Sequence, residues 1–296
     1  MENFDLDKWR AEYPMDFLLA IQLIMDAPVE DKGEVFRAIF DIAKMHVPGD
    51  LFKFYSFNSN EDLNQAKLDT LQRKQVYLSE IKELNDPFDS KAIYYEPERL
   101  RKFRRLKHCG GRIFDDLSTF ARVACFTECN TSNQSMWANY SNNHTGYCVS
   151  YDITQSNPSL KQFIFPVQYT NKRYNYTDFL EKQVEMIISR INRHRPENGK
   201  CISIDDLSLP LISILAENIK GTDWQHEKEF RCTIGNTPDI KPFLTANPKE
   251  IFIGMKCLNS YSQRLSDIGR NLSIPTYKMR LDDTVDTFCL VADRIS

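Results

Sequence analysis

Trp224-Gln225-His226-Glu227-Lys228-Glu229-Phe230-Arg231-Cys232-Thr233-Ile234 is the stretch on which the reading of this chain turns. Phe230–Ile234 alternates well enough to form a strand, and positions two apart on a strand point to one face. Glu227 and Glu229 are therefore expected side by side on one face, at the mouth of a buried strand. Two carboxylates so placed repel each other, and one pKa tends to rise. Proteins accept such costs at functional sites more readily than in scaffolds. The plain alternative is an exposed edge strand with solvated glutamates.

Outward from that strand, the pattern alternates short strands with helices. Residues 1–48 read as a small helical N-terminal unit, with Val35, Phe36, Ile39, Phe40 and Ala43 at helical spacing and Pro48-Gly49 ending the run. The unit either packs onto the core or offers a partner or cap surface. Residues 49–296 read as the main domain. Its expected strands are Leu51–Phe57, Val76–Ser79, Arg122–Thr127, Tyr147–Tyr151, Phe163–Tyr169 and Glu250–Met255, with strand-like runs at Pro275–Arg280 and Thr287–Asp293. Helices are expected at Glu61–Arg73, Gln134–Tyr140, Phe179–Ile191, Leu207–Lys220 and Ser260–Asn271. This irregular interleaving indicates an α+β fold rather than a doubly wound parallel sheet.

Composition narrows the classes. The 296 residues are 42% hydrophobic, 27% charged and 12% aromatic, which supports a sizeable packed core. The net charge of −3 provides no global field for nucleic acid or anionic lipid. The cysteines at 109, 125, 129, 148, 201, 232, 257 and 289 include no Cys-x-x-Cys pair, so neither a zinc ribbon nor a disulfide framework is expected. Met1–Asp7 is acidic, without the apolar run of a secretory signal, and no stretch reaches the ~18 apolar residues of a membrane span. A cytoplasmic protein with no membrane partner is the expectation.

Four segments hold polar residues that a scaffold does not need. Lys53, Tyr55 and Ser56 place a cation and hydroxyls on the first strand, where they can meet phosphate. Asn85-Asp86-Pro87-Phe88-Asp89 has turn chemistry. Trp137, Tyr140 and His144 share a face if their helix continues, and would make a floor for a flat heterocycle; capping and core roles are the bland reading. The fourth segment is Glu227 and Glu229 with Arg231. The cations Arg99, Arg101, Lys102, Arg104, Arg105, Lys107 and Arg112 read first as a solvated helix face with Leu100, Phe103 and Leu106 turned inward, and second as a nucleic-acid patch. No Gly-x-Gly-x-x-Gly, Walker loop, His-Glu-x-x-His or Gly-x-Ser-x-Gly is present.

The ordered set Leu51-Phe52-Lys53-Phe54-Tyr55-Ser56-Phe57, Tyr77-Leu78-Ser79, Asn85-Asp86-Pro87-Phe88-Asp89, Cys125-Phe126-Thr127, Met136-Trp137-x-x-Tyr140-x-x-x-His144-x-Gly146 and Trp224-x-x-Glu227-x-Glu229-x-Arg231 resembles a widespread bacterial family of uncharacterised proteins. That family in turn is similar to the mono-ADP-ribosyltransferase fold, a split mixed sheet with flanking helices that grips NAD in a cleft. The resemblance covers about residues 50–255. It implies NAD as substrate, no metal, and transfer of ADP-ribose to a macromolecular acceptor, nucleic acid or protein, by a toxin or antiviral defence effector with a possible neutralising partner.

On this resemblance Glu229 is the catalytic carboxylate, Glu227 orients the acceptor, and His144 joins them as a catalytic candidate. Lys53, Tyr55, Ser56, Tyr77, Ser79, Asn85, Asp86, Trp137, Tyr140 and Arg231 would bind NAD. The chain departs from the pattern in having Lys53 where a first-strand arginine is usual, and Tyr77-Leu78-Ser79 where Ser-Thr-Ser is usual. Two other classes fit the same residues. One is a metal-dependent nuclease built on Asp86, Asp89, Glu227, Glu229 and His144. The other is a non-catalytic nucleotide-binding sensor or adaptor.

Overall fold

The structure, a computed structural model, describes residues 5–113, 117–119, 121–154, 157–193, 208–236 and 241–296. Met1–Phe4 and Cys201 thus lie outside the described residues, whose cysteines are free thiols. The chain opens with helices α1 (Leu6–Glu12), α2 (Phe17–Asp26) and α3 (Lys32–Met45), and Asp5 and Asp16 cap the first two by accepting from the backbone N–H groups of Lys8 and Leu19. Then come β1 (Asp50–Tyr55), α4 (Glu61–Gln72), β2 (Gln75–Tyr77), β3 (Ser79–Glu80), β4 (Ile93–Tyr94) and α5 (Pro97–Leu100). The middle of the chain forms β5 (Ala121–Thr127), α6 (Gln134–Tyr140), β6 (Tyr147–Asp152), α7 (Pro158–Phe163), β7 (Ile164–Pro166), β8 (Gln168–Tyr169), β9 (Tyr174–Asn175), α8 (Thr177–Arg193) and α9 (Ser208–Ala216). The last part holds β10 (Ile219–Lys220), β11 (Glu229–Gly235), β12 (Phe243–Thr245), β13 (Glu250–Ile253), α10 (Asn259–Leu272), β14 (Thr276–Leu281) and β15 (Leu290–Arg294).

The fold is α+β around a mixed nine-stranded sheet with flanking helices. The strand order is β15-β14-β13-β6-β1-β5-β11-β7, with β3 also pairing β5. Only β13 and β14 run parallel within it. One face carries Leu51, Ala124, Phe126, Val149, Phe230, Cys232 and Ile251, packed under α4, α7 and α10. The opposite face is covered at two separate places. At one end, α2, α3, α8 and α9 form an apolar cluster with Phe165 of β7. At the other, Trp137 of α6 packs with Cys148, Phe252 and Met279. So the N-terminal helices share a core with α9. No helix among the described residues is long and apolar enough to cross a membrane.

Between those two apolar clusters the sheet opens. β1 pairs β6 along its whole length, yet meets β5 at one register position, Phe52↔Thr127. Beyond that point β5 takes β3 as its neighbour instead, at Ser79↔Val123 and Glu80↔Arg122. The Lys53 Nζ spans the opening and donates to the Cys125 carbonyl at 3.0 Å, supplying a donor where no strand runs alongside.

Several expected elements are divided. The Val76–Ser79 strand is two pieces. β2 pairs β12, buried Leu78 donates its N–H to the Pro242 carbonyl, and β3 passes to the main sheet. The basic 96–112 run is not one helix. α5 stops at Leu100, and a 3-10 turn follows at Arg104–Cys109, since adjacent like charges weaken an α-helix and Gly110 and Gly111 take positive φ. The helix expected to reach Lys220 ends at Ala216, and Ile219–Lys220 is extended beside β8.

Candidate active site

The opening between β1 and β5 is a cleft of about 550 Å³, lined on one side by Phe52, Lys53 and Ser56 and on the other by Val123, Cys125 and Thr127. Its wall continues onto β11, where register Glu229↔Thr127 and Arg231↔Cys125 puts Glu229 and Arg231 on the cleft face. Glu227 reaches the same place by a different route than strand alternation. Thr222–Glu227 is a 3-10 turn, Lys228 is left-handed at φ 46°, and the strand begins only at Glu229. The reversal at Lys228 swings its side chain outward and lets the flanking carboxylates converge.

Their meeting point is Lys220. Its Nζ donates to Glu227 Oε2 at 2.7 Å and Glu229 Oε2 at 3.1 Å, and it lies 4.6 Å from the Trp224 ring centre. Like-charge repulsion between the glutamates is thereby answered by a buried ammonium. Arg231, fully buried, supplies the second cation. Its Nε and Nη2 take both oxygens of Glu229, Nη2 also reaches Asp89 Oδ1 at 2.7 Å, and Nη1 reaches the Glu217 carbonyl. This two-pronged grip is the geometry in which a guanidinium holds a carboxylate most firmly.

The electrostatics follow. Burial works against ionised Glu229, but Arg231 and Lys220 outweigh it and hold the carboxyl down at about 2. Burial likewise opposes the charge on Lys220, but Glu229 and Glu227 together outweigh it, so its pKa rises. Asp89 moves up, because burial exceeds the pull of an Arg231 already committed to Glu229. Tyr140 donates its hydroxyl to Glu227 Oε1 and receives the Asn85 side-chain amide at 3.3 Å. Burial first, then Glu227, pushes that phenol up, so it stays a proton donor. Lys53 shifts down because burial disfavours its charge.

Of the residues singled out in the sequence, Lys53, Ser56, Ser79, Asn85, Asp89, Tyr140, Glu227, Glu229 and Arg231 line this cleft. The others lie elsewhere. Tyr55 stacks on Tyr147 and bonds the Tyr151 hydroxyl beneath the sheet. Tyr77 is exposed on β2 against Phe243. Asp86 is buried, accepting from the Phe88 N–H. Trp137 is fully buried, edge-on to Phe54. The helix that would align Trp137, Tyr140 and His144 ends at Tyr140, and His144 sits at φ 69° in the following turn, stacked against Trp137 away from the cleft. Asn142 and Asn143 also adopt positive φ there, so the polar turn interrupts the shared face.

Two contributors went unread. Lys220 follows the largely apolar Leu211–Ala216 run and the polar pair Glu217-Asn218, where one more polar residue gave little signal. Tyr169, whose hydroxyl accepts from the Glu229 N–H at 2.8 Å, gave no local signal at all. Arg231 engages both Asp89 and Glu229, and Asp86 and His144 lie off the cleft. Among the described residues no cluster of three or more His, Cys, Asp or Glu side chains could hold one.

Residues 136–232 match the model of a family described as protein of unknown function (DUF2971). The match begins at Met136 on α6 and ends on β11. It therefore carries Tyr140, Lys220, both glutamates and Arg231, and supports the resemblance to an uncharacterised family. No curated protein and no solved structure matches the chain.

Proposed function

We propose that the cleft binds NAD and transfers ADP-ribose to a macromolecular acceptor. What carries this reading is a pair of fixed, differently occupied carboxylates at the mouth of a split sheet. The C1′–nitrogen bond to nicotinamide breaks with both electrons leaving on the nicotinamide, and positive charge develops at C1′ of the ribose. An acceptor nucleophile then bonds to C1′ and gives up its proton. A preorganised carboxylate bonded to the ribose 2′-hydroxyl stabilises that charge as it forms.

Of the two carboxylates, Glu227 is placed for this contact. A carboxylate accepts about four hydrogen bonds. Glu229 already takes two from Arg231 and one from Lys220, and Cys125 lies hydrogen-bonded against it. Among the described residues, Glu227 takes only Tyr140 and Lys220 through its carboxylate, so it has room for a ligand hydroxyl. Glu229 is then the positioning anion that fixes Lys220, reversing the order that the resemblance implies. Lys53 on the cleft wall would be the cation for a pyrophosphate, and Phe52, Phe54 and Tyr140 would offer rings to nicotinamide. The volume of about 550 Å³ falls within the usual range for small-molecule sites.

The test is release of nicotinamide from NAD, followed with transfer of labelled ADP-ribose into a cell lysate. Wild type should turn over, and Glu227→Gln should lose about 100-fold or more, the size of a lost transition-state contact. Full turnover by Glu227→Gln, or none by folded wild type, overturns the reading.

A further inference from the structure

β3 and β5 are paired neighbours, so the chain between them, described over 81–113 and 117–119, forms an excursion that leaves from the wall of the cleft. Near its start Asn85 lines the cleft, and Asp89 is held by Arg231. Between these two anchors Phe88 is 65% exposed. It is not there by slack chain. Asp86 accepts the Phe88 N–H at 2.9 Å, and the Phe88 carbonyl accepts from Lys91. A pinned loop beside a polar cleft thus presents a bare ring to solvent.

Farther along the same excursion the cations divide into two groups. Arg99, Arg101 and Lys102 pair with Asp178, Glu98 and Glu181. Arg104, Arg105, Lys107 and Arg112 are exposed and make no ion pair among the described residues. They are held in place, since Phe103 and Leu106 turn toward the α8–α9 core and Gly111 closes the loop against α5. A Cβ on Gly111 would stand 1.9 Å from the Pro97 carbonyl oxygen, so only glycine permits this closure.

We propose that Phe88 with Arg104, Arg105, Lys107 and Arg112 binds single-stranded nucleic acid, the cations taking phosphates and Phe88 stacking on an unpaired base. Resting on the transfer reading above, it makes nucleic acid the acceptor. An acidic peptide would satisfy the cations but leave the bare ring unexplained, and a duplex would leave no base free to stack. The positive charge of residues 99–112 stands out against a chain of net charge −3.

Fluorescence anisotropy of the full chain with a labelled mixed-sequence single-stranded RNA tests the surface without NAD. A matching DNA strand and an RNA duplex run beside it. Four phosphate contacts on a single strand give a log–log salt slope of about −3. Arg104→Glu with Arg105→Glu should weaken binding about 100-fold at low salt, and Phe88→Ala about tenfold. Nicotinamide release without acceptor should survive the double charge reversal, and labelling of RNA should not. Binding that is absent in wild type, or equal in wild type and the double variant, overturns the proposal. So does tighter binding of duplex, or ADP-ribose entering protein and not nucleic acid. Salt-dependent binding lost in the variants, with no NAD turnover by wild type, keeps the nucleic-acid surface and removes the transfer reading.

Discussion

Glu229 and Glu227 differ by two positions and by nearly everything that decides what a carboxylate does. Glu229 is clamped by Arg231 and ionised down to about pH 2, so its removal leaves a buried guanidinium with Asp89 as its remaining carboxylate partner. Glu229→Gln should therefore cost about 3 kcal/mol of folding stability, read as a lower urea midpoint. Glu227→Gln leaves Lys220 still paired with Glu229 and should cost much less. A pH series adds a sign. The Glu229 carboxyl lies at about 2 when folded against an ordinary 4.5, so the folded state is favoured while it stays charged. That stabilisation is complete above pH 4.5 and drains away as the pH falls toward 2, and urea midpoints of Glu229→Gln should be flatter across that window. The glutamate pair was legible in the sequence because two acids beside a strand are rare and costly. Their convergence was not, because it depends on the left-handed Lys228 and on an ammonium supplied by another strand.

Elements inherit their strength from single contacts of this kind. α1 is only Leu6–Glu12, yet Arg10 ties it to Glu128 at 2.7 Å and to the His46 carbonyl, while Trp9 lies edge-on to the His46 ring at 4.7 Å. Glu128 also pairs with Lys228 Nζ at 3.5 Å and donates its backbone N–H to the Lys228 carbonyl, so α1 braces the turn between the glutamates. Burial, then Arg10, lowers the His46 pKa to about 4. The unfolded imidazole takes a proton first, so stability present above pH 6.5 is lost as the pH falls to 4. His46→Asn should remove that part of the acid limb, seen in urea midpoints between those pH values. At the other side of the sheet, a Cβ on Gly146 would lie 1.9 Å from the Tyr55 carbonyl oxygen. Gly146→Ala should push β6 from β1 and cost about 3 kcal/mol by the same measurement. The strands at β1, β5, β6 and β11 were readable from apolar alternation. β4, β9 and β12 were not, for two- or three-residue strands have no periodicity to read. The cleft residues Lys53 and Ser79 were visible as polar positions in strand-like runs. Tyr55 and Trp137 misled because aromatics serve a core as well as a ligand.

At the scale of the whole molecule the main sheet consists of two ladders in contact at Phe52↔Thr127. One is built on β6, β1, β13, β14 and β15, the other on β5, β11, β7 and β3. Lys53 supplements the contact through the Cys125 carbonyl. Lys53→Met should leave that carbonyl bare and weaken NAD capture about tenfold, measured as KM for nicotinamide release, on the loss of one charge-assisted phosphate contact. The chain does not keep to one ladder at a time. It changes ladder after β1, after β5, after β6 and after β11, so the halves are laced like the two sides of a shoe rather than hinged end to end. Such lacing sets how far the cleft can gape: each passage is a tether, and widening must stretch them together. It also forbids dissection, since no cut at a single point of the chain frees one ladder intact.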